Sequence, residues 1–220
     1  MYRTVRTYTC QGAHTGVTFG GMTSLPLKYI GGDPALDLVN TADWTADGPR
    51  AERLPDYARL LEWAQGAGIV AGPAVVKLRR EARRRPVAAR DALAAAHDAR
   101  AILQRTLSRR ARGAPYYLRE HAAFNALLGD VVARLELTPS ASSTVLGFRE
   151  LGERLESPLW PVVWSAARLL ISDEADRIRV CGGPDCGWMY VDRSRNGLRR
   201  WCEMETCGTR AKNRRRASAR

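Results

Sequence analysis

The chain has 220 residues, of which 45% are hydrophobic and 26% are charged, and these values exclude a chain that is disordered throughout. An excess of Lys and Arg gives a net charge of +12, which indicates a polyanionic partner, either nucleic acid or an anionic membrane surface. No segment approaches the roughly 20 apolar residues of a spanning helix, so no membrane partner is expected.

Residues 1–24 are polar, rich in Thr and Gly, and without hydrophobic periodicity. We expect a disordered tail, or an upstream extension of a protein whose natural start is Met22. The arginines of this segment precede no apolar core, so a secretory signal is not predicted. The chain is therefore expected to be cytoplasmic, where thiols stay reduced and clustered cysteines indicate a metal site or catalysis before disulfides.

Residues 25–173 are predicted to form a mainly α-helical domain of about five helices with a short β element. Residues 27–41 are predicted to form either two short strands or one strand and a helical turn. The apolar run in this segment is too short to distinguish the two alternatives. Residues 45–50 are expected to form a loop. Apolar residues at helical spacing and prolines at first helical positions predict the remaining helices. These are a helix that begins at Pro55 and helices over about 73–85, 87–111, 115–135 and 157–170. A strand is predicted over 144–148.

Three polar residues, Asp37, Asn40 and Asp43, lie close together after a short apolar run. Two interpretations of Asp37 and Asn40 stay open: a polar ligand site, or the more frequent role of such residues as turn formers and helix caps. His97 and His121 lie within predicted helices and join no metal-binding or catalytic pattern. No phosphate-binding glycine loop, nucleophile elbow or triad is evident, so an enzyme is the least supported class and no catalytic residue is assigned.

Four of the five cysteines lie in the last forty residues, in two Cys-x4-Cys pairs separated by fifteen residues. Cys181 and Cys186 form the first pair, and Cys202 and Cys207 form the second. Two close pairs on a hairpin-length segment are typical of a tetrahedral site with four thiolates, so one structural Zn²⁺ is predicted. Unrelated thiols or two disulfides are the less favoured alternative. Residues 188–191 are expected to form a strand, and metal binding is expected to supply the folding free energy of this small module.

The end of the chain is strongly basic. From residue 193 onward there are ten basic and two acidic residues, a net charge of +8 out of the total of +12. A helix is predicted from Glu203 onward, with Met204, Cys207 and Ala211 facing the metal. Such a helix is suited to contact phosphates and to enter a groove of a nucleic acid. A solvated basic tail without a partner is the simpler alternative. Charge alone does not distinguish DNA from RNA. The predicted nucleic-acid contacts are Arg199, Arg200, Arg210, Lys212, Arg214, Arg215 and Arg216.

Besides both cysteine pairs, the C-terminal segment has characteristic motifs at residues 190–194, 199–202, 204, 210 and 212. Through these residues it resembles the CGNR-type zinc finger of bacterial regulators. Thr209 stands where Asn is usual in the name-giving motif, which leaves the cysteines unchanged but alters the hydrogen bond that this Asn makes.

The preceding region resembles the ABATE domain found ahead of this finger, through Gly31-Gly32, residues 36–41 and residues 60–64. The likeness covers about residues 27–216 and implies a stress-linked transcriptional regulator of bacteria. The expected organisation is a tail at 1–24, the helical ABATE-like domain at 25–173, the finger with its basic helix at 177–216, and a tail at 217–220. The finger is expected to pack against the last helix of the ABATE-like domain.

The leading hypothesis is a zinc-finger DNA-binding regulator whose helical domain senses a signal or mediates assembly. One alternative is an RNA- or ribosome-associated protein that uses the same basic surface. Another is a zinc- or redox-responsive module for protein interaction. The sequence does not specify an oligomeric state.

Overall fold

The structure of the chain, a computed structural model, is mainly α-helical with short β hairpins, as the sequence predicted. The predicted N-terminal tail, residues 1–24, lies outside the described residues. No described helix is both long and apolar enough to cross a lipid bilayer. The described residues are 25–45, 48–115, 118–139, 143–183 and 186–218.

The α-helices between residues 57 and 111 follow the predicted ones closely, whereas residues 27–41 contain the helical turn of one prediction but none of the predicted strands. Asp56 caps the helix that follows it, because its carboxylate accepts a hydrogen bond of 2.8 Å from the Arg59 amide. The helix predicted over 115–135 is shorter, since it ends at Val132 and Leu135 already belongs to a strand. The helices are α1 (Pro34–Val39), α2 (Tyr57–Gly66), α3 (Gly72–Arg84), α4 (Pro86–Ala111), α5 (Leu118–Val132), α6 (Trp160–Leu170) and α7 (Thr209–Ser218).

Three antiparallel hairpins lie between the helices of the described residues. The predicted strand over 144–148 and the strand within 188–191 are both present. In each hairpin, consecutive strands pair directly with each other. The strands are β1 (Ala42–Thr45), β2 (Gly48–Glu52), β3 (Leu135–Pro139), β4 (Thr144–Phe148), β5 (Ile178–Val180) and β6 (Met189–Val191).

The prediction of a loop over residues 45–50 is wrong, because these residues belong largely to the β1–β2 hairpin. Strand β2 contains no β-branched or aromatic residue, so its sequence carries no local strand signal. The strand is held from outside by the buried guanidinium of Arg100 in α4, which hydrogen-bonds both carboxylate oxygens of Glu52, one of them at 2.8 Å. Tertiary contact therefore overrides local propensity here.

Helix α4 lies at the centre of the helical domain. It packs against α1, α2, α3, α5 and α6, and its buried stripe includes Ala92, Ala96, Ala99 and Leu103. Small alanine side chains let the neighbouring helices approach closely, and the larger leucine fills the space between them. This arrangement fixes α1 and the β1–β2 hairpin on the side of the domain that meets the finger.

The hydrophobic core continues from the helical domain into the C-terminal region. Ile178, Met189 and Val191 are at most 2% exposed and belong to the same buried cluster as α1, α2 and α4. Strand β5 packs against α4 and strand β6 against α1. The finger was expected to pack against the last helix of the domain, whereas the main contacts of its two strands are with the central and the first helix.

Candidate metal centre and nucleic-acid interface

Four cysteine sulfurs meet beside the β5–β6 hairpin. The Sγ atoms of Cys181, Cys186, Cys202 and Cys207 all lie within 4.8 Å of one another. The Cys186–Cys202, Cys202–Cys207 and Cys207–Cys186 separations are 3.7, 3.6 and 3.5 Å. A regular tetrahedron of sulfurs about 2.3 Å from zinc has edges of about 3.8 Å, so the cluster has nearly the size of a zinc–tetrathiolate site. The finger can hold one metal ion, consistent with a single structural Zn²⁺.

The chemistry of the donor set also fits a cation. Hydrogen bonding to the Cys181 sulfur raises the pKa of the Cys186 thiol to about 12 and also raises the pKa of Cys202. Four thiolates at this spacing repel one another strongly unless a cation lies between them. The Cys181 sulfur accepts hydrogen bonds from the amides of Gly183, at 3.3 Å, and Cys202, at 3.2 Å, which favour its thiolate form. A divalent metal would hold the other three as thiolates.

Backbone contacts and one glycine shape the first cysteine pair. The Cys181 amide donates to the Trp188 carbonyl at 2.8 Å, which closes the loop that carries Cys181 and Cys186. A Cβ atom on Gly183 would lie only 3.0 Å from the Cys207 sulfur and 3.3 Å from the Cys181 sulfur. Only glycine therefore lets the backbone approach the sulfur cluster at this position.

The second pair leads into the basic helix through a π-helical turn, Met204–Gly208, which is continued by α7. The helix predicted from Glu203 onward is thus present, and it includes residues 217–218 of the predicted tail. Met204 was predicted to face the metal, and this is wrong, because its side chain is 68% exposed. The wider π turn changes the angular spacing on which that prediction relied. The hydroxyl of Thr209, the residue that departs from the family motif, donates to the Met204 carbonyl at 3.2 Å.

Arg199 differs from the other residues predicted to contact nucleic acid, because its guanidinium is engaged within the finger. It lies 4.1 Å from the centroid of the Tyr190 ring, and its Nε donates to the Trp201 carbonyl at 3.0 Å. Its Nη2 also donates to the carbonyl of Cys202. The Tyr190 hydroxyl in turn donates to the Arg199 carbonyl at 2.6 Å. Arg199 thus fixes the backbone that carries one of the cysteines.

We expect Arg199→Ala to destabilise the finger without removing a phosphate contact. The carbonyls of Trp201 and Cys202 would lose a charged donor, and such hydrogen bonds contribute about 1.5–3 kcal/mol each. Thermal unfolding of the variant should shift to lower temperature, while the salt dependence of any binding to duplex DNA should stay that of the parent. Arg195→Ala, at an exposed arginine of the same loop, is the matched control for unfolding. A salt slope smaller by about one unit in Arg199→Ala would instead make Arg199 a phosphate contact.

The remaining predicted contact residues form an exposed basic surface. Helix α7 has no buried residue, and Arg200 is also exposed, with its guanidinium 5.3 Å from the centroid of the Trp201 ring. Within the described residues, none of these six side chains forms an ion pair with a carboxylate. Glu203 is neutralised by Lys28, whose hydrogen bond lowers the pKa of that carboxyl. The six are Arg200, Arg210, Lys212, Arg214, Arg215 and Arg216, which we name the basic surface.

The polar residues near α1 join the helical domain to the finger. The Asn40 side chain is 1% exposed and makes two hydrogen bonds to the backbone of Met189, as donor to its carbonyl at 2.8 Å and as acceptor from its amide at 2.9 Å. Asp43 accepts from the indole of Trp188 at 2.9 Å. Asp37 accepts from the Gly31 amide at 2.8 Å, and burial raises the pKa of Asp37 to about 7. The side chains of Asp37 and Asn40 thus have structural partners in the protein.

A second set of contacts joins the turn at Gly31 and Gly32 to the finger. The Val191 amide donates to the Gly31 carbonyl, and the Arg193 guanidinium donates to the Gly32 carbonyl, both at 2.8 Å. Gly32 has a φ of 80°, and a Cβ atom there would lie 3.0 Å from Nη1 of Arg193. Arg193 also forms a bidentate ion pair with Glu174 at 2.5 and 2.7 Å. Arg193 was not predicted as a docking residue, because nothing local in the sequence distinguishes it from the other arginines of the basic C-terminal segment.

Comparison with models of protein families gives two matches, and their order from the N-terminus to the C-terminus is the one that the sequence motifs predicted. Residues 32–173, more than half of the chain, match the ABATE family, which is described as “Putative stress-induced transcription regulator”. Residues 177–220 match the CGNR zinc finger. Comparison with curated proteins finds no match. Both matches confirm the resemblance drawn from the motifs.

Proposed function

The chain belongs to the ABATE family and ends in a CGNR zinc finger, and from this membership we propose that it is a transcription regulator that binds duplex DNA through the basic surface of its finger. The metal has a structural role in this proposal. Four sulfur ligands complete a tetrahedral site and leave no open position for water or substrate, so no catalytic activity is assigned. The proposal places the protein in the cytoplasm of a bacterium, where metal-bound thiolates stay reduced.

The exposed helix α7 carries the proposal. Cys207 lies in the π turn directly before this helix, so the metal centre anchors its first residues. Arg210 follows three positions later and is exposed, and Arg214, Arg215 and Arg216 continue along the same helix. An anchored helix with exposed guanidinium groups is suited to contact phosphates, and its rigid first turn is suited to read a base edge in the major groove.

The helical domain is proposed to carry the signal or the assembly contact of the regulator. The finger is attached to it by buried hydrogen bonds from Asn40, by the indole of Trp188 on Asp43, and by the hydrogen bond from Arg193 to the Gly32 carbonyl. A change in α1 would therefore be transmitted directly to the strands that carry the metal site. Coupling of this kind needs a contact between the two parts, and the contact is present.

Changing Arg214, Arg215 and Arg216 together to Ala tests the proposal. Each phosphate contact contributes about −0.9 to the slope of log K against log salt on duplex DNA, so the slope should flatten by roughly 2–3 units. Fluorescence anisotropy of a labelled duplex, titrated at several salt concentrations, measures this slope. The matched control removes the same charge from the exposed arginines of α3, as Arg79→Ala, Arg80→Ala and Arg83→Ala.

The two triple variants together locate the interface. The α3 variant should keep the slope of the parent, because its substituted side chains lie on the helical domain and not on the finger. Equal slopes for the parent and the α7 variant would contradict a DNA interface on α7. Titration of structured RNA under the same conditions tests the alternative of an RNA-associated protein, which predicts the tighter binding there.

A further inference from the structure

Two exposed apolar side chains interrupt the basic surface. Leu198 is 71% exposed and Met204 is 68% exposed, and both line one groove of about 390 Å³ beside Trp201. Trp201 and Met204 also line an adjoining groove of about 520 Å³. Exposed aliphatic side chains make no contribution to phosphate binding, so the charge of this surface does not account for them.

The backbone around Leu198 holds it in place. Gly197 has a φ of 65° and its amide donates to the Ser194 carbonyl at 3.2 Å, which turns the loop just before Leu198. The Arg199 amide, just after Leu198, donates at 3.0 Å to the fully buried side chain of Asp192. Leu198 is therefore presented at the tip of a loop that is fixed on both sides, and little further ordering is needed when it binds.

Met204 is presented in a similar way by the second cysteine pair. It begins the π turn that contains Cys207, and a Cβ atom on Gly208 would lie 2.9 Å from its sulfur. The Thr209 hydroxyl donates to its carbonyl. Both apolar side chains are thus attached to the backbone that the metal site organises.

The charge around the grooves indicates what occupies them. Arg200 of the basic surface lines the first groove, and Lys212, Arg215 and Arg216 line the second. The carboxylate that lines the first groove, Glu203, is already paired with Lys28. Apolar side chains between phosphate-binding residues fit a duplex, whose phosphates flank a stack of flat apolar bases, and proteins that kink DNA insert Leu or Met between base pairs in this way.

We propose that Leu198 and Met204 form an apolar wedge that inserts at a base step of the bound duplex and kinks it, while the basic surface holds the phosphates on either side. The wedge rests on the proposed function and adds to it a mode of recognition. Flexible pyrimidine–purine steps, TA and CA/TG, unstack at the lowest cost, so such steps are the preferred sites. Sequence preference then arises from DNA deformability in addition to contacts with base edges.

The test uses the full-length, zinc-loaded chain and short duplexes with 2-aminopurine at a central TA step or a central GC step. The parent should raise the 2-aminopurine fluorescence at the TA step, because the base becomes unstacked, and should shorten the end-to-end distance measured by energy transfer. The double variant Leu198→Ala, Met204→Ala should lose the fluorescence rise, most of the bend and the preference for TA, while its salt slope stays that of the parent. Leu137→Ala is the matched control, since Leu137 is also 71% exposed but lies in β3.

The outcomes separate the wedge from the function on which it rests. If the parent binds duplexes with a steep salt slope but neither unstacks nor bends them, the wedge is overturned and the DNA-binding function stands. If the double variant unstacks and bends DNA like the parent, the wedge is overturned as well. If the parent binds no duplex, the proposed function fails and the wedge fails with it. Zinc content and thermal unfolding of the double variant should equal those of the parent, because both side chains are exposed.

Discussion

Replacing Cys202 with Ser should release the metal and destabilise the chain well beyond the finger. Structural zinc contributes on the order of 10–16 kcal/mol to the folding of small modules at neutral pH. The loss reaches the helical domain because Ile178, Met189 and Val191 are buried with α1 and α4 in one core. Each such side chain contributes about 1.5–3 kcal/mol by its burial, so a β5–β6 hairpin freed from the metal site would cost the core several kcal/mol.

Metal analysis and thermal unfolding followed by circular dichroism measure both effects. Zinc should fall from one per chain toward zero, and a loss of about 5 kcal/mol corresponds to a fall of roughly 10–20 °C in the unfolding midpoint. Cys10→Ser is the matched control, because Cys10 belongs to neither cysteine pair, and it should retain the zinc and the midpoint. Full zinc content in Cys202→Ser would remove Cys202 from the proposed ligands. A lost metal with an unchanged midpoint would show that the core does not depend on the finger.

The cysteine cluster was predictable because its signal is local. Two pairs with a short fixed spacing specify a four-thiolate site whatever the rest of the fold does, and the structure brings the four sulfurs within 4.8 Å of one another. The helix stripes of α2, α3 and α4 were predictable for the same reason, since the period of apolar residues is read within one segment.

The contact between the helical domain and the finger was not predictable, because its partners are far apart in the sequence. Asn40 and Met189 are separated by 149 residues, and no pattern within either segment indicates the other. The contact between Gly32 and Arg193 was not predictable for the same reason, since these residues are 161 positions apart. Strand β2 and Met204 were predicted wrongly because a buried guanidinium and a π-helical turn, both set by tertiary structure, replace the local preferences that sequence analysis relies on.

Asn40 attaches the finger by two buried hydrogen bonds, so Asn40→Ala should lower stability while leaving all four cysteines in place. The substitution leaves the amide and the carbonyl of Met189 buried and without the partners that Asn40 supplies. An unsatisfied buried polar group costs about 1–3 kcal/mol, so the two together should cost roughly 2–6 kcal/mol.

Thermal unfolding and zinc content, measured on the same sample, distinguish this effect from loss of the metal. The unfolding midpoint of Asn40→Ala should fall by roughly 5–20 °C, whereas its zinc content should equal that of the parent, because the sulfur cluster does not include Asn40. Asn125→Ala is the matched control, since Asn125 is exposed on α5, and it should leave the midpoint unchanged. If Asn40→Ala unfolds at the same temperature as Asn125→Ala, the hydrogen bonds to Met189 do not hold the finger on the helical domain, and the hydrogen bond from Arg193 to the Gly32 carbonyl would have to do so instead.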